Sequence, residues 1–420
     1  WDQLDQYKKW ITEIGIDAYA VSPLELLHLD QDPQRQMKRA QNFWSQNYKR
    51  DQINTKYKRK DKIHIGYFSA DFRTHPVSML LSRILELHNK DQFKIILYSL
   101  IPEEVNDKYT KRIKSAVCSF RNLSKLNDDE AFNLIQKDNL DFAIDLMGHT
   151  QNNRLQLFSY RLAKIQLTYL GYPGTTGSQS IDYIVADKTI IPQKSEKNFS
   201  EKIAYMPNCF MSFDNTIKIS KKKYTKMELN LDENQFIFTA FHKSQKITRK
   251  EFNIWINILH NVPDSVLWLR DMNSQAELNL KKEFVQHELD PKRLIFSKHN
   301  SSYEDYLSKF NCGDLFLDTF NYNAHSTGIE CLWAGLPILT LSGTSYPSKV
   351  GESLLKNFGL EELITYTEKE YNELAIKLGN NPQICKEYKN YIKSNKDKNI
   401  LFNSEQFTVD FEKLLINLLK

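Results

Sequence analysis

Two successive blocks of short apolar runs, alternating with amphipathic stretches, predict an α/β chain of two domains, each a mostly parallel sheet with helices on both faces. In the first block, Ile63-His64-Ile65-Gly66-Tyr67-Phe68, Phe93-Lys94-Ile95-Ile96-Leu97-Tyr98 and Phe142-Ala143-Ile144-Asp145-Leu146 read as strands, and residues 77–87 and 128–136 as helices between them. In the second, strands at 236–241, 265–269, 293–297, 314–318 and 337–341 are separated by helical stretches. The helix expected at 248–260 sets Phe252, Trp255, Ile258 and Leu259 on one face behind Thr248 as N-cap. A chain of 420 residues also exceeds one ordinary core. Together these predict two Rossmann-like domains facing a cleft, where open parallel sheets bind ligands.

The expected boundaries follow from the changes in pattern. Residues 1–60 form a helical segment and linker: Trp1, Leu4, Tyr7, Ile11 and Ile14 recur at near-helical spacing, as do Met37, Ala40 and Phe43, and a lysine-rich run from Tyr48 to Lys62 follows. Residues 61–220 make the first Rossmann-like lobe, 221–400 the second, and 401–420 a closing helix.

Composition narrows the class. The apolar fraction is 41% and the charged fraction 26%, enough for sizeable cores under a wet surface. The net charge of +5 is small for this length and its lysines are scattered, which argues against a nucleic-acid partner. No run of about 18 apolar residues suggests a membrane span. Five cysteines without a Cys-x-x-Cys pair suggest neither a disulfide frame nor a zinc knuckle, so a reducing, cytoplasmic compartment is expected. The chain begins with Trp rather than Met, which reads as a fragment that a further segment can precede.

The richest chemistry lies between the strand ending at Asp318 and the apolar stripe Ile329, Leu332, Trp333 and Leu336. That pattern puts His325, Ser326 and Thr327 in the free first turn of a helix, where unpaired N–H groups and the helix dipole attract anions. Glu330, one turn on, is placed to accept from ribose hydroxyls. On spacing alone, a plain cap at Ser326 or Thr327 with a locally bonded His325 competes with that reading. Lys243 and Lys246 follow another strand, where their charges can neutralise a phosphate, or simply be solvated. In the first domain His75 precedes a helix with Pro76 in its first turn; it is either a proton acceptor for an attacking hydroxyl or an ordinary loop histidine. Gly148-His149-Thr150 and Gly171-Tyr172-Pro173-Gly174-Thr175-Thr176-Gly177 end two further strands, with glycines that allow close backbone approach or an ordinary turn. Dinucleotide and P-loop spacings are absent, and no cluster of metal-ligating residues or G-x-S-x-G elbow appears.

At these same residues the chain resembles glycosyltransferase family 41, the protein O-linked N-acetylglucosamine transferases and the Spindly O-fucosyltransferases. The resemblance covers roughly residues 63–364. It rests on Gly66-Tyr67, Ser69-x-Asp71-Phe72 and His75-Pro76, Gly148-His149-Thr150, Leu170 through Gly177 with Asp182-Tyr183, Tyr205-Met206-Pro207, Lys246-Ile247, Val262-Pro263-x-Ser265, Asn323 through Thr327, and Leu332-Trp333-Ala334-Gly335-Leu336-Pro337. It implies a GT-B fold, metal-independent inverting transfer from a nucleotide sugar to Ser or Thr of a protein, no cofactor, and often tetratricopeptide repeats before the catalytic region.

Carried over residue by residue, the resemblance assigns the diphosphate to Lys246, His325, Ser326 and Thr327, with Lys243 beside them, and the ribose to Glu330. Tyr306 would stand for a histidine near the base, His75 near the reacting hydroxyl, and His149, Thr150 and Gly171 through Gly174 along sugar and acceptor. The family often has Asp at the position of Glu330 and an amide at that of Lys243. Residues 148–153 lean toward the Spindly pattern, whereas Asn323-Ala324-His325 leans toward the N-acetylglucosamine enzymes. The expected activity is therefore transfer of N-acetylglucosamine from UDP-GlcNAc to protein, with UDP-glucose or GDP-fucose as other donors, and an epimerase-like enzyme or a silent nucleotide-sugar-binding module as competitors.

Overall fold

The computed structural model describes residues 1–17, 19–48, 60–102, 106–222, 224–297 and 302–420. Most of the expected lysine-rich linker, residues 49–59, lies outside the described residues. The chain divides into two compact units, Tyr7–Asn215 with Asn403–Lys420, and Thr216–Phe402 with Trp1–Gln6.

The first unit carries a sheet of seven parallel strands: β1 Ile63–Ser69, β2 Phe93–Ser99, β3 Ser119–Asn122, β4 Leu140–Asp145, β5 Ala163–Thr168, β6 Tyr183–Ala186 and β7 Lys202–Tyr205. Their spatial order is β3-β2-β1-β4-β5-β6-β7. Tyr67 pairs in register with Leu97 on one side and Ile144 on the other, and all three are buried. Strands covered on both faces need continuous apolar runs, which is the pattern of β1, β2 and β4. The order reverses between β1 and β4, so the ends of these two strands flank the switch point where such sheets bind ligands.

The second unit repeats the plan with β8 Phe236–Ala240, β9 Ser265–Leu269, β10 Leu294–Phe296, β11 Leu315–Leu317, β12 Ile338–Leu341 and β13 Ile364–Thr365, ordered β10-β9-β8-β11-β12-β13. Its switch point lies between β8 and β11. The helix Arg249–Asn261 starts at a Thr248–Glu251 capping box and buries Phe252, Trp255, Ile258 and Leu259, the face expected from the sequence.

Tertiary contacts redraw the ends of the chain. The apolar repeat of residues 1–14 is broken at Tyr7, which separates helices Asp2–Gln6 and Lys8–Glu13. The first of these is anchored in the second unit: Trp1 packs on Phe252 at 5.3 Å, its Nε1 donates to the Ile247 carbonyl at 3.2 Å, and Arg249 pairs with Asp2 and Asp5. The closing helix Ser404–Leu419 belongs to the first unit, where Glu412 accepts from the Asn89 amide at 2.8 Å and lies 2.9 Å from His88 Nδ1. The helix Pro33–Asn47 is held there by Arg39, 1% exposed, whose guanidinium pairs with Asp30 at 2.7 Å and donates to the Ile14 carbonyl at 2.9 Å.

Candidate functional site

In the second unit the chain leaves β8 through Phe241 and His242 into the turn Ser244–Lys246, and leaves β11 at Asp318 into a loop that ends at the helix Ser326–Ala334. The sequence candidates of this unit sit on these two exits from the switch point and on the helix Tyr303–Lys309.

Asp318 builds the second exit. Its buried carboxylate accepts the Thr319 amide at 2.9 Å, the Ala324 amide at 2.7 Å and the Thr340 hydroxyl at 2.8 Å, folding residues 319–324 around one point. Burial pushes Asp318 up, while these donors and the charge of Lys246 pull it back. The same loop is fixed again by Asn323, which donates from Nδ2 to the Thr319 carbonyl at 2.7 Å and accepts the Gly351 amide at 3.2 Å. Thr340→Val is expected to cost about 1.5 kcal/mol by removing one donor from a buried carboxylate, read as a lower urea midpoint at unchanged slope.

Lys246 is half-buried. Its ammonium donates to the Asn323 carbonyl at 2.9 Å and stands 3.8 Å from the centroid of the Tyr322 ring. The imidazole of His325 stacks on the same ring at 4.6 Å. Tyr322 thus gathers Lys246 and His325 at the start of the helix. Burial lowers the Lys246 ammonium from its usual value, with Asp318 opposing the shift. His325 is likewise lowered, first by burial and then by Lys246, and is neutral. Because its Nε2 faces the Pro347 carbonyl at 3.1 Å, the proton resides on Nε2 and Nδ1 is an acceptor. In this tautomer the one N–H of the imidazole is directed at Pro347.

The backbone supplies the donors instead. His325 is the N-cap and makes no side-chain cap bond, and the first cap bond of the helix runs from the Ile329 amide to the His325 carbonyl at 3.2 Å. Among the described residues none accepts from the amides of Ser326, Thr327 or Gly328, which leaves three N–H groups at the positive end of the helix dipole. Ser326 and Thr327 are half-buried, and Lys243 is exposed.

One turn on, Glu330 is buried, and the Tyr303 hydroxyl donates to its Oε1 at 2.8 Å. Burial raises Glu330 to about 7, with Tyr303, Arg270 and Tyr306 opposing. Tyr306 lies among Tyr303, Phe241 and Phe310 at ring separations of 6.2, 6.3 and 5.1 Å. The residue expected near a base is therefore also an aromatic core contact. His242 is a framework group: buried, held by the Leu317 carbonyl at 3.0 Å and lowered to about 3 by burial.

In the first unit, Asp145 at the end of β4 plays the part of Asp318. Its carboxylate accepts the amides of Met147 at 3.0 Å and Gly148 at 2.7 Å and the Thr168 hydroxyl at 3.1 Å, and burial raises it to about 6. At the end of β1, His75 caps the helix Pro76–Leu87: its Nδ1 lies 3.3 Å from the Val77 amide and 3.5 Å from Asp71 Oδ2. Two tautomers follow. One accepts from Val77; the other turns Nδ1–H toward Asp71.

His149 lies in the interior. It is 4% exposed, its ring meets Phe43 and Tyr172 edge-on at 5.2 Å each, Nε2 sits 2.8 Å from the Thr176 carbonyl, and burial lowers it to about 4. It braces the loop 171–177 against the helix Pro33–Asn47, a role that spacing did not reveal. Tyr172, Pro173 and Gly174 are buried with it, while Thr150 and Gly171 are half-buried. Gly171 is obligatory: a Cβ there would stand 1.8 Å from the Leu146 carbonyl oxygen, and Leu170 before it adopts φ 68°, a strained value for a side chain of its size.

Two parallel-sheet Rossmann-like units, the second with an open helix start at its switch point, place the chain in the GT-B class of glycosyltransferase folds. The chain belongs to glycosyltransferase family 41, whose model, described as glycosyl transferase family 41, matches residues 36–224 and 215–411. It is 32% identical over 330 residues to the probable UDP-N-acetylglucosamine–peptide N-acetylglucosaminyltransferase SEC of Arabidopsis thaliana, covering 77% of this chain and 34% of that protein. It is 30% identical over 366 residues to the probable UDP-N-acetylglucosamine–peptide N-acetylglucosaminyltransferase SPINDLY of Petunia hybrida, covering 84% of this chain and 38% of that one. The chain thus spans little more than a third of the length of these relatives. An O-GlcNAc transferase mutant of Thermobaculum terrenum shares the fold with a TM-score of 0.84 at 22% identity, over 99% of this chain and 79% of that one. Anabaena HepE, solved with UDP and glucose, is more distant, with a TM-score of 0.57 at 12% identity, over 84% of this chain and all of that one. No helix of the described residues is long and apolar enough to cross a membrane, and among those residues no three His, Cys, Asp or Glu group as metal ligands.

Proposed function

We propose that the chain transfers N-acetylglucosamine from UDP-GlcNAc to Ser or Thr hydroxyls of a protein, with inversion and without a metal. The observation that supports it is the helix start at Ser326: three open amides, the Lys246 ammonium and the His325 imidazole, gathered by Tyr322, form a site for a diphosphate. The names of the curated relatives point to the same donor and to a peptide acceptor.

In this reading the acceptor oxygen bonds to the anomeric carbon from one face. The bond from that carbon to the β-phosphate oxygen breaks on the other, and its electron pair leaves with UDP. The helix amides and Lys246 stabilise the charge that develops there. That charge also raises His325, which takes up a proton at Nδ1 and becomes a second donor. His75, beside Asp71, takes the acceptor's proton. Lys243 adds an exposed positive charge, and Thr150 with Gly171 through Gly174 borders sugar and acceptor, while His149 holds that border in place.

The test mixes the purified protein with UDP-GlcNAc, UDP-glucose or GDP-fucose, with and without an acceptor peptide. Acceptor-dependent release of UDP, with a peptide gaining one N-acetylhexosamine by mass spectrometry, is the expected result. Turnover of the sugar without acceptor, or binding without release of UDP, would replace this reading by an epimerase-like enzyme or a silent binding module. Preference for GDP-fucose would overturn the donor assignment. Tyr322→Leu is expected to weaken UDP binding about fivefold, measured by calorimetry, because the cation–π contact that positions Lys246 is lost.

A further inference from the structure

Glu330 sits four residues after Ser326, which at 1.5 Å per residue is about 6 Å along the helix from the open amides. A nucleoside diphosphate anchored at those amides needs a ribose partner at this range. A carboxylate reads two ribose hydroxyls only when held in one orientation, since it must accept from both at once. Among the described residues no group on its own helix bonds to the Glu330 carboxylate. The hydroxyl that bonds to it comes from the neighbouring helix Tyr303–Lys309: Tyr303 donates at 2.8 Å, and Tyr306 follows one turn along the same helix. The two tyrosine rings lie nearly parallel, 23° apart with centroids at 6.2 Å, so each fixes the other.

We propose that Tyr303 is a positioning residue for nucleoside recognition: its hydroxyl pins one oxygen of Glu330, and the other lone pairs of the carboxylate are thereby aimed at the ribose hydroxyls of the donor. This rests on the nucleotide-sugar reading above. A carboxylate offers about four acceptor sites and the Tyr303 hydroxyl takes one, so room for two ribose donors remains. The longer Glu side chain has more rotamers than Asp, and an external tether is the physical means of narrowing them.

The experiment compares Tyr303→Phe with the unaltered protein by calorimetry, using UDP and 2′,3′-dideoxy-UDP from pH 6 to 8.5. The Phe variant keeps the ring stack and removes the hydroxyl alone; circular dichroism checks that it folds. The expected result is a loss of about tenfold in UDP affinity, with the dideoxy analogue unaffected, because only ligands with ribose hydroxyls use the aimed carboxylate. The pH at which UDP affinity changes should also move upward, since one bond favouring the ionised acid is gone. Unchanged UDP affinity in Tyr303→Phe, or equal losses for UDP and its dideoxy analogue, would overturn the proposal. Glu330→Ala alone and with Tyr303→Phe gives a second check: the double variant should bind UDP no worse than Glu330→Ala, whereas additive losses refute action through Glu330. If the unaltered protein binds no UDP at all, the nucleotide-sugar reading itself fails; if it binds UDP but Tyr303→Phe changes nothing, only the role of Tyr303 fails.

Discussion

Lys246→Met is expected to lower the rate of sugar transfer by about 10²–10³-fold, with a larger effect on kcat than on KM. Methionine keeps an unbranched apolar stem that can lie along the Tyr322 ring, so the loop should persist. What disappears is an ammonium with three donors, one of which engages the Asn323 carbonyl at 2.9 Å. Holding such a group half-buried is unfavourable for its charged form, and the downward shift of Lys246 expresses that. A leaving diphosphate reverses the balance, because its charge grows as the sugar bond breaks and the cation is already in place. Stabilisation realised mainly in the transition state appears in kcat. A proton signature accompanies it. The free protein holds Lys246 below its usual pKa and bound UDP raises it, so between the two values binding takes up a proton and affinity falls as pH rises. Calorimetry in buffers of different ionisation enthalpy should detect this uptake in the unaltered protein and find less in Lys246→Met. Full transfer by the methionine variant would remove the diphosphate assignment.

The parts of the fold legible in the sequence are those whose burial is uniform. β1, β2, β4, β8 and β9 are apolar runs because helices cover both faces, and the face Phe252, Trp255, Ile258 and Leu259 follows from one-sided packing. β3 was not legible: Ser119–Asn122 is an edge strand, half-buried along its length and polar in composition. β6, β7 and β13 have four residues or fewer, too short for periodicity to show. At the site, the helix start could be placed because apolar periodicity fixes which turn is free. The use of each group could not, because it depends on partners distant in sequence. Tyr303 meets Glu330 across 27 residues and Lys246 meets Asn323 across 77, while His149 is buried by Phe43 and Tyr172, which only the fold brings to it. The two strand-end carboxylates are a related case. Asp145 and Asp318 are visible as acids ending apolar runs, but their shared task, gathering the amides of the loop at each switch point, emerges only from the parallel sheet orders.

Glu330→Gln is expected to raise stability relative to the unaltered protein as pH increases, by about 3 kcal/mol between pH 5 and 8. The sign follows from the direction of the shift. Glu330 is raised from 4.5 to about 7 in the folded chain, so between these values the folded state holds a proton that the unfolded state has released. Stability contributed by the neutral acid is complete below the unfolded value and is lost as pH rises through about 7. Above that, folding must bury a carboxylate that is 6% exposed, with the Tyr303 hydroxyl donating at 2.8 Å. Glutamine has nearly the same shape, retains an oxygen that can accept from Tyr303, and never carries the charge. Urea unfolding of both proteins at pH 5, 6, 7 and 8 measures the difference, with midpoints converging at the acid end and separating at the alkaline end. Parallel midpoints across the range would mean that Glu330 ionises as an ordinary surface carboxylate. The same variant should lose UDP affinity, since an amide accepts from one ribose hydroxyl where a carboxylate accepts from two. Greater stability with poorer binding is the behaviour of a charge kept at a site for its ligand, and a gain in both would contradict a ribose-binding role for Glu330.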